Sequence, residues 1–245
     1  MIPLLWSSVY ILNMQEEKVA FITGISQGIG MQLVLKFLDM GYIVVGYSRK
    51  SLEEVDYLND LTPSHKSNYI HLNCSIQEVS EKLVSLVNFK INVLISNAAQ
   101  FIKEPADSLS SDHFLDSFNV NSINPFLLIQ SLKLASLFAF QAHVVQICSM
   151  GGVQGAQKFS GLMAYSASKA ALISITESMQ VEWGHSLTFN ALALGAVDTE
   201  MFRDAFFNAA TEISDVQMAD WIYEFAANSG QIMAGQVVQV KKSDP

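Results

Sequence analysis

Cysteine is scarce in this chain of 245 residues, which contains only Cys74 and Cys148. The two lie far apart and form no CxxC pair, which excludes a disulfide framework and predicts reduced thiols in a cytosolic protein. Histidines are few and scattered, without an HExxH motif or a Cys/His cluster, so no metal site is expected. They are His65, His71, His113, His143 and His185.

Basic residues are also in short supply. Lys and Arg number 14 against 23 Asp and Glu, for a formal net charge of −9. An acidic surface repels phosphate backbones and anionic headgroups, so neither nucleic acid nor a membrane is expected as a partner. Long apolar runs are missing as well. Residues 1–13 are too few to span a bilayer, and polar side chains interrupt 126–147, which is predicted as a buried helix followed by a strand.

The first residues, MIPLLWSSVYILN, are apolar but carry neither a basic leading region nor a small-residue cleavage site. A signal peptide is therefore not expected. The segment is interpreted as an extension from an upstream start codon or as an ordered arm that packs on a neighbour. We assign residues 1–14 to this extension and 15–245 to one domain, since no linker, repeat or low-complexity tract divides the rest.

Half of the residues are hydrophobic, and a chain of this length buries roughly 70–75% of its unfolded surface. Short apolar runs alternate with helix-length segments: KVAFIT (18–23), YIVVGY (42–47), YIHLN (69–73), NVLIS (92–96), HVVQIC (143–148), SLTFNALAL (186–194) and GQVVQV (235–240). Continuous apolar runs are typical of strands buried on both faces of a parallel sheet. We therefore predict an α/β fold: a single Rossmann-like, doubly wound domain with about seven parallel strands and helices on both faces.

The loop TGISQGIG (23–30) joins the first strand to a helix-length segment. Glycines permit a tight turn and a close backbone approach, and the free N–H groups at a helix start attract a pyrophosphate. This placement predicts a dinucleotide site, with an ordinary strand-to-helix turn as the alternative. The predicted contacts are Gly24, Ser26, Gln27, Gly28, Ile29 and Gly30.

Two positions after the next strands bear on the nucleotide. Arg49 follows the second strand, where an acidic residue would accept the ribose hydroxyls of NAD(H). A guanidinium suits a 2′-phosphate instead, so NADP(H) is favoured over NAD(H), with a solvated loop cation as the alternative. Asn73, after the third strand, is assigned either an adenine contact or a turn-capping role.

The candidate chemistry lies downstream. Tyr165 and Lys169 are four residues apart in a helix-length segment, so their side chains share one face. A free tyrosine has a pKa of about 10, and an adjacent ammonium lowers that pKa and so suits the phenol to proton transfer. Ser149 ends the fifth strand, where its hydroxyl can bond a substrate oxygen as charge develops. A YxxxK pair alone is frequent by chance.

Together these motifs resemble the short-chain dehydrogenase/reductase family, over residues 18–240. The glycine motif is matched by Thr23, Gly24, Gly28 and Gly30, its Asn-Asn-Ala-Gly motif by Ser96, Asn97, Ala98 and Ala99, and its Asn-x-x-x-Pro-Gly-x-x-x-Thr loop by residues 190–199. The resemblance implies an oxidoreductase that transfers a hydride between NAD(P) and a carbonyl or secondary alcohol. A nucleotide-sensing or scaffold protein on the same fold is the alternative.

The resemblance also implies individual roles. Tyr165 is the general acid/base, and Lys169 lowers its pKa while holding the nicotinamide ribose. Ser149 orients the substrate carbonyl, and Asn121 braces a water that relays protons through Lys169. The cofactor contacts that the resemblance adds are Asn97, Ala98, Tyr165, Lys169, Gly195, Val197 and Thr199.

Four features depart from the family pattern. Ala99 replaces a glycine, and Leu194 replaces the proline before Gly195. The loop between Ser149 and Tyr165 is longer than in many members, and the C-terminal VVQVKKSDP lacks the usual Asp-Gly-Gly. None of these changes removes a catalytic group, so an active enzyme is expected.

Apolar residues in two segments predict a pocket for a neutral, hydrophobic ketone or alcohol, with packing roles as the alternative. They are Met201, Phe202, Phe206 and Phe207, and Phe159, Leu162 and Met163. Asp198 is assigned to helix capping. In the family, the helices around 122–140 and 164–183 pack against a partner subunit. This implies a homodimer or homotetramer, with burial inside one subunit as the alternative.

Overall fold

The computed structural model describes residues 17–86, 88–207 and 211–242. The predicted extension, residues 1–14, lies outside these ranges. Seven strands form within them: β1 Val19–Thr23, β2 Ile43–Tyr47, β3 Tyr69–Leu72, β4 Ile91–Ser96, β5 Phe138–Ser149, β6 Leu187–Leu194 and β7 Gln236–Val240. Each strand overlaps one of the predicted apolar runs.

All seven strands are parallel and form one sheet in the order β3-β2-β1-β4-β5-β6-β7. The helices are α1 Gly28–Asp39, α2 Asp56–Asn59, α3 Pro63–Ser67, α4 Val79–Leu86, α5 Ser111–Phe118, α6 Asn124–Leu134, α7 Met163–Trp183, α8 Glu200–Ala205 and α9 Asp215–Asn228. This arrangement confirms the predicted doubly wound α/β fold. The strand order reverses between β1 and β4, which opens a crevice for a ligand at their carboxyl ends.

Helices cover both faces of the sheet, which explains the continuous apolar runs. On β4, Val93 and Ile95 pack with α1 and α9 on one face, whereas Leu94 packs with α4 and α6 on the other. Phe37 of α1 is fully buried and lies edge-on to Tyr42. Burial of a large apolar side chain of this kind stabilises the fold by about 1.5–3 kcal/mol.

The fifth strand is longer than predicted, since it begins at Phe138 rather than at His143. Its first residues pair irregularly with β4, where the register shifts between Ile91 and Val93. The added stretch lacks continuous burial, on which the prediction depended, because Phe140 and Gln141 are exposed.

Within the described ranges, no helix combines the length and the apolarity that crossing a membrane requires. No group of three or more His, Cys, Asp or Glu side chains in this part of the chain is arranged to hold a metal ion. Cys74 and Cys148 are both free thiols.

A buried polar network ties β5 and β6 to the C-terminal part of the chain. Nδ1 of His143 donates to the Ala226 carbonyl of α9 at 2.9 Å, and Nε2 accepts from Nδ2 of Asn190 at 2.9 Å. Asn190 is held in this orientation because its Oδ1 accepts from the Gln236 N–H at 2.9 Å. These bonds suit a neutral imidazole, and burial lowers the pKa of His143. A proton added at Nε2 would face the Asn190 amide N–H.

We expect this network to make the fold sensitive to acid. The pKa of His143 in the folded chain lies below the usual 6.5, so His143 binds a proton more readily in the unfolded chain. The free energy of unfolding therefore falls as the pH drops below 6.5. The His143→Gln variant cannot titrate there and should lose up to about 1.4 kcal/mol per pH unit of this dependence. Denaturant unfolding between about pH 5 and about pH 8 measures the slope.

The matched control is His185→Gln, at an exposed histidine, which should keep the wild-type slope. A wild-type slope in His143→Gln would contradict the prediction.

Candidate active site

A cleft of about 520 Å³ opens at the carboxyl ends of the central strands. Most of the predicted site residues line it: Gly24, Ser26, Gln27, Gly28, Ile29, Arg49, Asn97, Ala98, Ser149, Tyr165, Lys169, Gly195, Val197 and Thr199. Gly30, Asn73 and Asn121 are not among the lining residues, for three different structural reasons.

The glycine loop is packed too closely for side chains at two positions. Gly24 has a φ of +70°, and a Cβ there would lie 2.6 Å from Cα of Ala98. A Cβ on Gly30 would lie 2.1 Å from the Gly24 carbonyl oxygen, so Gly30 supports the turn from beneath instead of lining the cleft. The loop thus folds tightly onto the end of β4, which leaves its backbone open to a close approach by a phosphate.

The start of α1 provides the anion-binding part of the cleft. The helix begins at Gly28, its N-cap Gln27 makes no side-chain capping bond, and its first turn holds no acidic residue. The first N–H groups of the helix are therefore open to a phosphate, which the helix dipole also favours. The glycine cradle and this helix start fit the pyrophosphate of a dinucleotide.

Thr23 and Asn97 join the ends of β1 and β4. The Thr23 hydroxyl accepts hydrogen bonds from the backbone N–H groups of Asn97 and Ala98, each at 3.0 Å. The Asn97 amide donates to the carbonyls of Thr23 at 3.1 Å and Gly24 at 3.0 Å. Asn97 therefore shapes the glycine loop. Thr23 is a further site residue, which the sequence indicated only as part of a motif.

Arg49 lies at the rim of the cleft beyond β2. Its loop is held by the Lys50 carbonyl, which accepts from Ser48 Oγ at 2.7 Å and from His71 Nε2 at 2.9 Å. The Arg49 side chain is exposed, and it forms no ion pair with the residues that the structure describes. Its guanidinium donors are open to a phosphate at this end of the cleft.

Asn73 is exposed and lies outside the cleft. The chain leaves β3 at Leu72 and enters a short turn at Ser75, whose N–H and hydroxyl bond the Glu78 carboxylate at 3.0 and 2.9 Å. Ser75 thus caps this turn, and Ile76 behind it lines the cleft. The turn-cap interpretation of Asn73 is therefore corrected, whereas its adenine contact stays a prediction.

Ser149, Tyr165 and Lys169 meet at the other end of the cleft. Ser149 ends β5, and the other two lie on α7. The Lys169 ammonium donates to the Ile147 carbonyl at 2.8 Å and lies 5.9 Å from the centre of the Tyr165 ring. The three side chains together present a hydroxyl, a phenol and a buried cation to the cleft.

Burial governs the electrostatics of this group. Burial raises the pKa of Tyr165 to about 12. A hydrogen bond with Ser149 acts to lower this pKa, and the Cys148 thiol acts to raise it. Burial also lowers the pKa of Lys169. Burial is thus the largest influence on the Tyr165 pKa here, and the lowering of that pKa by Lys169 stays a prediction.

Asn121 is fully buried behind the cleft, in a π-helical turn at Asn119–Ile123. Its Oδ1 accepts from the Gln100 N–H at 2.7 Å, and its Nδ2 donates to the Gln100 carbonyl at 2.9 Å and to Ser168 Oγ at 3.0 Å. Ser168 Oγ in turn donates to the Tyr165 carbonyl at 2.8 Å. Asn121 therefore connects the loop after β4 to the turn of α7 that carries Tyr165. Such π-turns are frequent at functional sites.

The loop after β6 lines the cleft with Gly195, Val197 and Thr199. Its Gly195 N–H donates to the Val240 carbonyl at the end of β7, at 2.9 Å. This bond holds the loop at the position where Leu194 replaces the family proline. A Cβ on Gly28 would lie 3.5 Å from the Thr199 methyl, so the loop also reaches the start of α1.

Thr199, rather than Asp198, caps α8. The Thr199 hydroxyl accepts from the Phe202 N–H at 3.2 Å, whereas Asp198 pairs with Arg203. The capping role predicted for Asp198 is therefore wrong by one position, because Thr199 is the last extended residue before the helix.

Apolar side chains line the cleft that holds Tyr165. The predicted pocket residues that line it are Met201, Phe202, Phe206, Phe159 and Leu162. Phe207 and Met163 do not line it, and their side chains are 87% and 53% exposed. Phe101, which the sequence did not single out, lies edge-on to the Tyr165 ring at 5.3 Å. Its only signal was its place in the loop after β4, at the carboxyl edge of the sheet.

Comparison with known proteins agrees with this geometry. A family model described as short chain dehydrogenase matches residues 18–209. The NAD-dependent glycerol dehydrogenase of Listeria innocua is 27% identical over 195 residues, which cover 78% of this chain and 74% of that protein. The 2-dehydro-3-deoxy-D-gluconate 5-dehydrogenase of Dickeya dadantii is 28% identical over 194 residues, which cover 75% and 73%.

The solved structure of ElxO with NADP bound has a TM-score of 0.77 at 22% identity, over 91% of this chain and 97% of that one. This likeness concerns the fold. The family match covers more than half of the chain and includes the glycine loop, Asn121, Ser149, Tyr165 and Lys169. The chain therefore belongs to the short-chain dehydrogenase family.

Proposed function

We propose that this protein is an NAD(P)-dependent oxidoreductase that transfers a hydride between a nicotinamide and a carbonyl or secondary alcohol. One observation carries the proposal: a single cleft holds a glycine cradle at one end and Ser149, Tyr165 and Lys169 at the other. A bound nicotinamide supplies or accepts the hydride. The second group favours an enzyme over a nucleotide-sensing or scaffold protein, which needs no proton donor beside its nucleotide.

The chain's own residues handle the proton. A phenol with a pKa of about 12 keeps its proton near neutrality, so Tyr165 is ready to donate it to an oxygen that becomes negative as a carbonyl is reduced. Ser149 adds a hydrogen bond to the same oxygen. In the reverse direction Tyr165 must first lose its proton, which the nearby Lys169 ammonium favours.

NADP(H) is the proposed cofactor, with NAD(H) as the alternative. Arg49 offers exposed guanidinium donors at the rim of the cleft, and a guanidinium binds phosphate through two charge-assisted hydrogen bonds. The relatives differ here, since the Listeria enzyme is NAD-dependent whereas ElxO was solved with NADP.

The proposed substrate is neutral and hydrophobic. Among the described residues that line the cleft, the cations other than Lys169 are Arg49 and Lys50, which follow β2 at the nucleotide end. Arg203 pairs with Asp198. A substrate carboxylate near Tyr165 would therefore lack a partner of its own. The proposed substrate thus differs from the sugar acid for which the Dickeya relative is named.

We further propose a cytoplasmic homodimer or homotetramer. Leu115 on α5, Ile123 in the π-turn and Val181 on α7 are 60%, 42% and 87% exposed. Contact with a second copy would remove such side chains from water. The free thiols of Cys74 and Cys148 suit a reducing compartment.

Light scattering on the purified chain tests the assembly. A mass of two or four times 27.0 kDa is expected, because apolar side chains on an outer surface favour self-association. The mass of a single chain at micromolar concentration would refute it.

The Tyr165→Phe variant tests the role of the phenol. We expect kcat for a hydrophobic ketone to fall by about 10²- to 10⁴-fold, because general-acid catalysis is lost. NADPH affinity, followed by fluorescence titration, should remain unchanged. Tyr223→Phe removes a hydroxyl from α9, outside the cleft, and should turn over like the wild type. Retained turnover in Tyr165→Phe would refute the assignment.

The Arg49→Asp variant tests the nucleotide. We expect the ratio of NADPH to NADH affinity to fall by about 10- to 100-fold, because a charge-assisted pair is replaced by repulsion. Lys82→Asp makes the same change of charge on α4, away from the cleft, and controls for net charge. An unchanged ratio in Arg49→Asp would show that Arg49 does not read the 2′-phosphate.

A further inference from the structure

Aromatic rings from three chain segments line the cleft that holds Tyr165. Phe101, in the loop after β4, lies edge-on to Tyr165, with ring centres 5.3 Å apart at 65°. Phe159, in the loop after β5, lies edge-on to Phe206 at 5.1 Å and 81°. Phe202 of α8 packs on Phe206 at 5.4 Å. These rings and Tyr165 line the same cleft, and together the rings form an aromatic wall on it.

Hydrogen bonds hold the three segments together. Lys103 donates from Nζ to the Ala205 carbonyl at the end of α8, at 2.7 Å. The Glu104 N–H donates to the Gly161 carbonyl in the loop after β5, at 2.9 Å. The loop after β4 is thus bonded to both of the other segments. The rings are held in place before a substrate arrives, which limits the entropy lost on binding.

We propose that Phe101, Phe159 and Phe206 select a substrate with an aromatic ring next to its carbonyl: an aryl ketone, or an aryl carbinol in the reverse direction. The proposal rests on the proposed oxidoreductase function and names its substrate class. A guest ring gains from edge-to-face or offset packing beyond the area that it buries. The gain corresponds to roughly 2- to 10-fold in affinity for each ring pair.

Polyols and sugar acids fit this wall poorly. A ring face does not replace the hydrogen bonds that a hydroxyl makes with water, so hydroxyls buried against Phe159 or Phe206 would lose their partners. An aliphatic ketone of similar size buries a comparable area but lacks the packing of ring on ring. It is therefore the sharpest comparison.

Acetophenone and cyclohexyl methyl ketone differ in whether the ring is aromatic. The ratio measured is kcat/KM for acetophenone divided by kcat/KM for cyclohexyl methyl ketone. We expect this ratio to fall by about 2- to 10-fold in Phe159→Leu and in Phe206→Leu. Comparison of this ratio between variants cancels the unequal reactivity of the two ketones. Phe207→Leu is the matched control, because the adjacent Phe207 is 87% exposed and lies outside the cleft. Its ratio should equal that of the wild type.

A further variant separates loss of the ring from damage to α8. Phe206→Tyr keeps the ring and should keep the ratio. A wild-type ratio in both leucine variants, or an equal fall in Phe207→Leu, would overturn the inference and leave the oxidoreductase function intact.

A binding measurement separates the inference from the chemistry. Saturation-transfer NMR on Tyr165→Phe, with NADPH present, reports the binding of each ketone without turnover. Preferential binding of acetophenone that is lost when Phe206→Leu is added would support the aromatic site. This result would hold even if the wild type reduced no carbonyl, because absence of turnover would refute the oxidoreductase function alone. Equal binding of the two ketones would overturn the aromatic site.

Discussion

The junction between the ends of β1 and β4 is the constraint on which the cleft depends. The Thr23 hydroxyl accepts hydrogen bonds from two backbone N–H groups that follow β4. The Asn97 amide donates two hydrogen bonds to the carbonyls of Thr23 and Gly24. Gly24 and Gly30 bring backbone against backbone here, so no side chain fits between them. The start of α1 and the loop that carries Phe101 both take their positions from this junction.

Burial then sets the chemistry. Lys169 is buried and Tyr165 is half-buried in the cleft, and burial shifts each pKa in the direction that favours the neutral group, upward for the phenol and downward for the amine. A hydrogen bond between Ser149 and Tyr165 acts against the upward shift of the phenol pKa. Asn121 supports this geometry from behind through Ser168. Packing and proton transfer therefore depend on the same contacts.

Most of the fold was predictable because a parallel sheet covered on both faces leaves continuous apolar runs in the chain. The start of β5 was not predicted, because Phe140 is exposed and the pairing with β4 is irregular there. The helix and turn caps were harder. Asn73 precedes the capping residue Ser75 by two positions, and Asp198 precedes the capping residue Thr199 by one. Only backbone conformation distinguishes such near neighbours.

The linear chain was enough to establish the family, the sheet and most residues of the cleft. Glycine spacing, strand ends and the step from Tyr165 to Lys169 are matters of local chain geometry, which the order of residues records directly. Packing in three dimensions was needed for the rest. The pKa of Tyr165 depends on burial by many distant elements, and Phe101 meets its ring across the cleft. Lys103 reaches a carbonyl 102 positions away, and a contact at that separation leaves no periodic trace in the chain.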